Sequence, residues 1–290
     1  MPFCPTIRHY QLLLPGLLGH HGRVMDPDVL AHYELGLEDT RLRVSGRPRL
    51  EFVRTLELLA RFLPSAPARV LDVGGGTGAY AVPLAKQGYQ VHVVEPVQVH
   101  VDAVRGAAVQ LGLSGLTASV GDARDLAAYH GRFDATLLLG PLYHLPDQAD
   151  RAQAFGEAVL ATAVGGSVTA VGISRFATLL DGLAQRWLSD PTFREIVERG
   201  LAGGLHRNPD VAGRPEWFTT AYLHHPQELR QEAVDAGLVD VTVLAVEGPA
   251  WMVEDAEDLE QQLFAARQTE SEPTLMGATS HILVSGKVEG

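Results

Sequence analysis

The chain has 290 residues, 46% hydrophobic, 20% charged and 7% aromatic, proportions that exclude disorder, a collagen repeat and a disulfide scaffold. Lys and Arg number 23 against 35 Asp and Glu, a net charge of −12, so the surface repels phosphate backbones and anionic lipid. No nucleic acid and no membrane is expected as a partner. The one cysteine, Cys4, can neither close an internal disulfide nor build a thiolate metal site, which fits the cytoplasm. No apolar run approaches the roughly 20 residues that span a bilayer, and the N-terminus lacks the pattern of a signal peptide.

Residues 1–48 carry Pro2, Pro5, Pro15, Pro27 and Pro48 and read as an N-terminal arm or lid, with a short helix possible over Pro27–Gly36. From Arg49 to Leu63 the residues Phe52, Val53, Leu56, Leu59, Ala60 and Leu63 recur at three and four, the stripe of an amphipathic helix. The pattern then changes to strand, glycine turn and helix: Arg69–Val73, Gly74-Gly75-Gly76-Thr77-Gly78, and Tyr80–Gln87. Further strands are predicted over Gln90–Glu95, Leu116–Val120, Phe133–Leu139 and Gly166–Ile173, with helices over Val97–Leu111 and Asp147–Ala163 between them. This alternation predicts a parallel sheet covered on both faces. Residues 174–218 break it with a helical stretch and then a Gly- and Pro-rich one, read as an insertion over the sheet. A helix over Pro226–Ala236, a strand over Leu238–Val246, a helix near Glu254–Gln268 and a strand over His281–Val288 complete the chain.

Glycines at a strand-to-helix turn let the backbone approach a ligand, and the helix that follows offers free N–H groups. Taken alone, Gly74-x-Gly76-x-x-Ala79 with Glu95 further on also satisfies a relaxed dinucleotide fingerprint, so a nicotinamide-dependent oxidoreductase is one reading. Two acids favour another. Asp72, two residues before the first glycine, would face a pyrophosphate unfavourably and a sulfonium or ammonium favourably. Asp122, at the end of the third strand, could accept from an exocyclic amine. With Glu95, three acids at neighbouring strand ends describe a pocket for a nucleoside that carries positive charge.

The segments Val70-Leu71-Asp72-Val73-Gly74-Gly75-Gly76-Thr77-Gly78, Val93-Val94-Glu95-Pro96, Gly121-Asp122-Ala123, Phe133-Asp134-Ala135 with Leu138-Leu139-Gly140, and Gly165-Gly166-Ser167-Val168 resemble, in order and spacing, the class I S-adenosylmethionine-dependent methyltransferases of the bacterial small-molecule type. The resemblance covers about residues 48–175. It implies an α/β, doubly wound, Rossmann-like sheet of seven strands, mostly parallel with an antiparallel last strand, in one domain over 49–290 that carries a helical, substrate-capping insertion at about 174–218. It implies S-adenosylmethionine as cofactor, with S-adenosylhomocysteine as product. Asp72 and the turn through Gly74, Gly76 and Gly78 would hold its amino acid end, Glu95 the ribose hydroxyls, Asp122 and Ala123 the adenine, and Leu139 or Gly140 would pass beside the methyl group. Three consecutive glycines, where many members have another small residue in the middle, are a harmless departure.

In open parallel sheets the ligand crevice lies beyond the carboxyl ends of the strands. Gly140-Pro141-Leu142-Tyr143-His144-Leu145 follows the fourth strand directly, which makes His144 the candidate base and Tyr143 a group to orient it or the substrate; packing of both under the cofactor is the alternative. Arg175, His206, Phe218, Tyr222, His225 and Trp251 form a polar and aromatic set in and around the insertion, suited to a planar or polar acceptor. The segment Tyr33–Arg41 is a candidate lid over the cofactor. His20-His21 and His224-His225 are adjacent pairs without metal-ligand spacing on a helix, so no metal is expected. The expected activity is methyl transfer to an oxygen or nitrogen of a small molecule; a non-catalytic binding protein on the same fold is the third reading. The sequence leaves a homodimer open.

Overall fold

The computed structural model describes Val29, residues 47–253 and residues 259–290. Apart from Val29 and its last residues, the expected arm over 1–48, with the segment Tyr33–Arg41, lies outside the described residues. So does the start of the helix expected from Glu254.

The first helix, α1, spans Arg47–Phe62. Its buried stripe differs from the expected one: Leu50, Arg54, Thr55, Leu58 and Leu59 face inward, whereas Ala60 is exposed. The cause is Arg54, a charged residue that apolar periodicity passes over. Its Nε donates to the Val246 carbonyl at 3.1 Å, and its terminal nitrogens pair with Glu57 and Glu270 at 2.6 Å each. A fully buried guanidinium is tolerable only with that degree of pairing.

The strand β1 (Arg69–Val73) leads through the glycine turn to α2 (Ala81–Lys86), then β2 (Gln90–Glu95), α3 (Gln98–Leu111), β3 (Leu116–Val120) and β4 (Phe133–Leu138). A short 3-10 turn, Pro141–His144, precedes α4 (Gln148–Ala161), whose N-cap Asp147 accepts from the Ala149 N–H at 2.8 Å. β5 runs from Thr162 to Ser174, starting four residues before the sequence places it. Thr162 explains the difference. Its hydroxyl donates back to the Ala158 carbonyl at 2.8 Å and meets Thr136 Oγ1 at 2.7 Å, so the chain leaves the helix and joins β4 at once. The register slips between Phe133 and Ala135 to absorb the early start.

The order β3-β2-β1-β4-β5 is parallel, and the sheet continues through β9 (His281–Val288), antiparallel to β5, to β8 (Leu238–Ala245) at the far edge. These seven strands form the expected sheet, reversed only at β9. Among the described residues the full count is nine. β6 (Leu205–His206) and β7 (Ala221–His224) form a short ladder inside the insertion, and β7 pairs in parallel with the tip of β5, Ile173 with Leu223 and Ser174 with His224.

Alternate strand residues feed two cores. Val70, Val91, Val93 and Leu137 pack with α1, α2 and α3, while Leu71, Val94, Leu138, Val168 and Ile282 pack with α4 and α7 (Pro226–Asp235). Each fully buried leucine or valine contributes about 1.5–3 kcal/mol. The insertion holds α5 (Ala177–Ala184) and α6 (Pro191–Gly203) and has its own small cluster of Phe193, Ile196, Val197 and Trp217. α6 went unread in the sequence, though its signals are present: Asp190 caps the Thr192 N–H at 2.8 Å, Pro191 opens the helix and Gly204 closes it in the left-handed conformation. The last helix, α8, spans Leu259–Thr269. No helix among the described residues is long and apolar enough to cross a membrane.

Candidate active site

A cavity of about 380 Å³ opens beyond the carboxyl ends of β1, β2, β3 and β4, within the size range of small-molecule sites. Its wall includes Asp72, the turn Gly74–Thr77, Glu95, Asp122, Ala123, Arg124, Leu139, Gly140, Tyr143, His144 and, from α1, Glu51. The sequence-assigned cofactor residues are therefore gathered at one place. Gly78 stands behind the wall, where its positive φ packs the turn against Val104 and Val82.

Asp72 sits on the same face of β1 as Val70 and is wholly buried, with neither carboxylate oxygen hydrogen-bonded among the described residues. Burial, reinforced by the negative charge of Glu95, pushes its pKa up to about 7. The glycine turn lies directly on it: a Cβ at Gly75 would stand 2.6 Å from Asp72 Oδ2. The middle glycine is thus more than a harmless departure, because the turn can close over the carboxylate only without a side chain there.

Glu95, at the tip of β2, is fixed from three sides. Its Oε2 accepts from the Gly76 N–H at 3.0 Å, while Oε1 accepts from the Val97 N–H at 3.2 Å and meets His100 Nδ1 at 3.2 Å. The carboxylate ties the glycine turn to the start of α3. Asp122 is held by Arg124, which donates from its backbone N–H and Nε to Oδ1 at 2.8 and 2.9 Å and from Nη2 to Oδ2 at 2.7 Å. The same guanidinium reaches Asp150 at 2.8 Å, and two carboxylate partners push the Arg124 pKa up. Sequence reading missed Arg124 and Asp150. The signal was an Asp-x-Arg step immediately after the assigned Asp122.

On the other wall Tyr143 and His144 share one turn, with ring centroids 4.6 Å apart in an edge-on arrangement. Phe218 joins them, 6.5 Å from Tyr143 and 5.8 Å from His144. It holds φ at +66°, a strained conformation for an aromatic residue and of the kind that clusters at ligand sites.

Phe218 itself does not line the cavity, and neither do the other acceptor-side residues named from sequence. Arg175 is buried, donating to the Leu223 carbonyl at 2.7 Å and to Glu228 at 2.6 Å. His206 is buried between Thr178 Oγ1 at 3.0 Å and the Trp217 carbonyl at 2.8 Å, and burial lowers its pKa to about 4. Tyr222 lies under the Arg151 guanidinium, 3.7 Å from the ring centre. His225 opens α7 and packs its ring on Phe176, while Trp251 sits in a cluster with Leu50 and Leu263. These residues build the insertion and its seat. One group of potential metal ligands occurs among the described residues: Glu51, Glu247 and His281.

Comparison with known proteins agrees with this geometry. Residues 70–166 match the model of a methyltransferase domain. A 2-heptyl-1-hydroxyquinolin-4(1H)-one methyltransferase of Mycobacteroides abscessus is 27% identical over 154 residues, which cover 53% of this chain and 65% of that protein, just under two thirds of its length. A possible histamine N-methyltransferase of Thermotoga maritima superposes with a TM-score of 0.58 at 17% identity, covering 90% of this chain and 99% of that one. A geranyl diphosphate C-methyltransferase of Streptomyces coelicolor gives 0.52 at 16% identity, over 81% and 79% of the two chains. At these identities the structural likeness establishes the fold. With the sheet order, the motif order and the matched family model, residues 70–166 are a class I S-adenosylmethionine-dependent methyltransferase domain.

Proposed function

We propose that the protein transfers the methyl group of S-adenosylmethionine to an oxygen or nitrogen of a small-molecule acceptor. The observation that carries this reading is Asp72. A carboxylate that is wholly buried, hydrogen-bonded to nothing among the described residues and set in the wall of a cavity is costly unless a cation is delivered to it. The cofactor supplies two, a sulfonium and an ammonium, whereas the pyrophosphate of a nicotinamide dinucleotide would be repelled. In this assignment Asp72 and the turn through Gly74, Gly76 and Gly78 hold the amino acid end, Glu95 the ribose, and Asp122 with Ala123 the adenine. Leu139 borders the methyl group.

When bound, the cofactor supplies an activated methyl group. The chain's own work is to hold an acceptor in line with it and to exclude water. Tyr143 and His144 are assigned to the reacting atom of the acceptor, with Phe218 as an apolar platform beside them. Arg175, His206, Tyr222, His225 and Trp251 support that wall from behind. The charge of −12 favours a small acceptor over RNA or DNA. The Mycobacteroides relative, whose name specifies an N-hydroxyquinolone, makes a planar hydroxylated heterocycle the first acceptor to try.

Calorimetric titration with S-adenosylmethionine and S-adenosylhomocysteine tests the reading, followed by transfer of a labelled methyl group to a panel of hydroxylated heterocycles, phenols and amines. Saturable heat with both, with transfer to at least one acceptor, is expected. No heat with either would overturn it.

A further inference from the structure

Arg175 and Tyr222 stand apart from the cavity, yet both lead back to it through a buried arginine to which the proposed function gives no task. Arg151 lies in the first turns of α4 and is 2% exposed. Helical side chains lean toward the N-terminus of their helix, and this one folds back over the start of α4. Its Nη1 donates to the carbonyls of Leu145 and Pro146, at 2.9 Å each. Its Nε donates to Oε1 of Glu232, on α7, at 2.9 Å, and Nη2 lies 2.9 Å from the same oxygen. The guanidinium carbon sits 3.7 Å from the centre of the Tyr222 ring in β7.

One planar group thus joins three segments that are distant in sequence: the chain just after His144, α7, and the returning strand of the insertion. Only an arginine does this. A lysine ammonium, a single nitrogen on a flexible stem, cannot hold two carbonyls on one side and a carboxylate on the other while lying flat on a ring. The other wholly buried guanidinium on α1, Arg54, shows what a plain structural pairing looks like. Its partners Val246, Glu57 and Glu270 do not belong to the cavity wall. Leu145 and Pro146, the partners of Arg151, both do. Glu232 is enough to neutralise the buried charge, so the fork on the two wall carbonyls is an additional feature.

The turn Pro141–His144 is thereby held at both ends. At its entry Pro141 packs on the glycine turn so closely that a Cβ at Gly74 would stand 2.9 Å from Pro141 Cδ. At its exit the Leu145 N–H donates to the Leu142 carbonyl at 3.2 Å, Pro146 has no N–H to offer, and Arg151 takes the carbonyls of both. We propose that Arg151 positions this turn, and with it Tyr143 and His144, against the acceptor. The inference rests on the methyl-transfer reading, in which Tyr143 and His144 are assigned to the reacting atom. Arg151 is a positioning residue: it acts through the backbone of the turn and not on the acceptor or the methyl group. An in-line displacement is sensitive to displacements of the order of an ångström in the groups that hold the acceptor, which is what this clamp controls.

The insertion enters through β7, which meets the clamp twice. Tyr222 lies on the guanidinium, and Nε2 of its neighbour but one, His224, lies 3.4 Å from Glu232 Oε2. The Tyr222 hydroxyl in turn accepts from Arg175 Nη2 at 3.4 Å, and Arg175 is fixed by Glu228 and the Leu223 carbonyl. Arg175 and Tyr222 therefore bear on the acceptor at one remove, by setting how β7 seats against Arg151.

Two readouts test the proposal on the full chain. In the transfer assay, with kcat counted per cofactor-binding site, Arg151→Met is expected to lower kcat by on the order of 100-fold and Arg151→Lys by about tenfold, with the dissociation constant of S-adenosylmethionine within about threefold in both. Tyr222→Leu is expected to lower kcat about fivefold in the unmodified protein and to add nothing in Arg151→Lys, because both changes act on one clamp. In protein labelled with 15N-histidine, the ring signals of His144, identified by their loss in His144→Gln, are expected to move in both Arg151→Lys and Glu232→Gln. A purely structural arginine would lower the unfolding midpoint and leave kcat per binding site unchanged. That outcome, a fall in kcat matched by an equal fall in cofactor affinity, additive effects of Tyr222→Leu and Arg151→Lys, or His144 signals that stay in place in both variants would each overturn it. If Arg151→Met does not fold, Arg151→Lys and its pairing with Tyr222→Leu carry the same test. Failure of the methyl-transfer reading has a separate signature, the absence of cofactor heat in the unmodified protein, and the His144 signals then judge the clamp by themselves.

Discussion

The two halves of the sheet edge are built by different means. On the β1–β3 side the ligand-facing groups sit within a few residues of strand ends and are locked by local bonds, Glu95 to the N–H groups of Gly76 and Val97, Asp122 to Arg124 two residues on. On the opposite side the groups come from far apart: Glu51 on α1, and Tyr143 and His144 after β4, whose rings contact Phe218 of the insertion. A site assembled locally survives changes elsewhere in the chain. A site assembled from distant elements depends on how each of them packs.

The largest expected effect tests the local half. Gly75→Leu places a side chain where a Cβ already lies 2.6 Å from Asp72 Oδ2, so cofactor binding should fall below calorimetric detection, and the thermal unfolding midpoint should fall as well because the turn packs on buried Asp72 and Val93. Retained affinity would mean that the turn can close without touching Asp72. On the distant half, His144→Ala should lower kcat by on the order of 100-fold with the cofactor dissociation constant within about twofold of the original. A loss of cofactor affinity instead would move His144 into the other half and break the division.

Asp72 sharpens the comparison through pH. Its pKa of about 7 in the free protein means that a proton must leave whenever a cation binds beside it below that pH. Cofactor affinity should therefore rise with pH, by at most about tenfold per unit, and level off above about 7. Calorimetry across pH 5.5–8 reads the slope, and Asp72→Asn should flatten it. The smallest effect concerns the insertion. His206 is buried neutral with its pKa near 4, against about 6.5 in an unfolded chain. Between these values the unfolded form binds more protons, so the stability that depends on a neutral His206 is present above about pH 6.5 and is lost as pH falls toward 4. Hydrogen exchange over residues 205–224 should accelerate across that window before exchange over β1 does, and His206→Gln should remove the difference.

The same division governs what the sequence discloses. β2 and β9 begin and end at the residues their patterns indicate, and Asp72, Glu95 and Asp122 can be picked out because each lies near a strand end, within two residues of a glycine or proline that marks the turn. The distant half leaves no such mark. His281 is the first residue of a strand and Glu51 one of two acids on α1; nothing local says that they meet across 230 positions. Arg175, His206, Tyr222, His225 and Trp251 were singled out for polarity and aromatic character, the very properties that a small insertion with little apolar core uses to hold itself together. Arg54 shows the complementary error, a charge in the middle of the inward stripe of α1 that apolar periodicity cannot include.

One pairing in the ladder reaches beyond this protein's own chemistry. Ser174, where the chain leaves the sheet, and His224, where it returns, are Cα partners across the β5–β7 contact. The fifty or so residues between them begin and end at one spot, so the segment closes on itself, and Arg175 to Glu228 and Tyr222 under Arg151 fasten it further to the scaffold. Segments of that kind can be lengthened, shortened or exchanged without pulling on the elements that carry them.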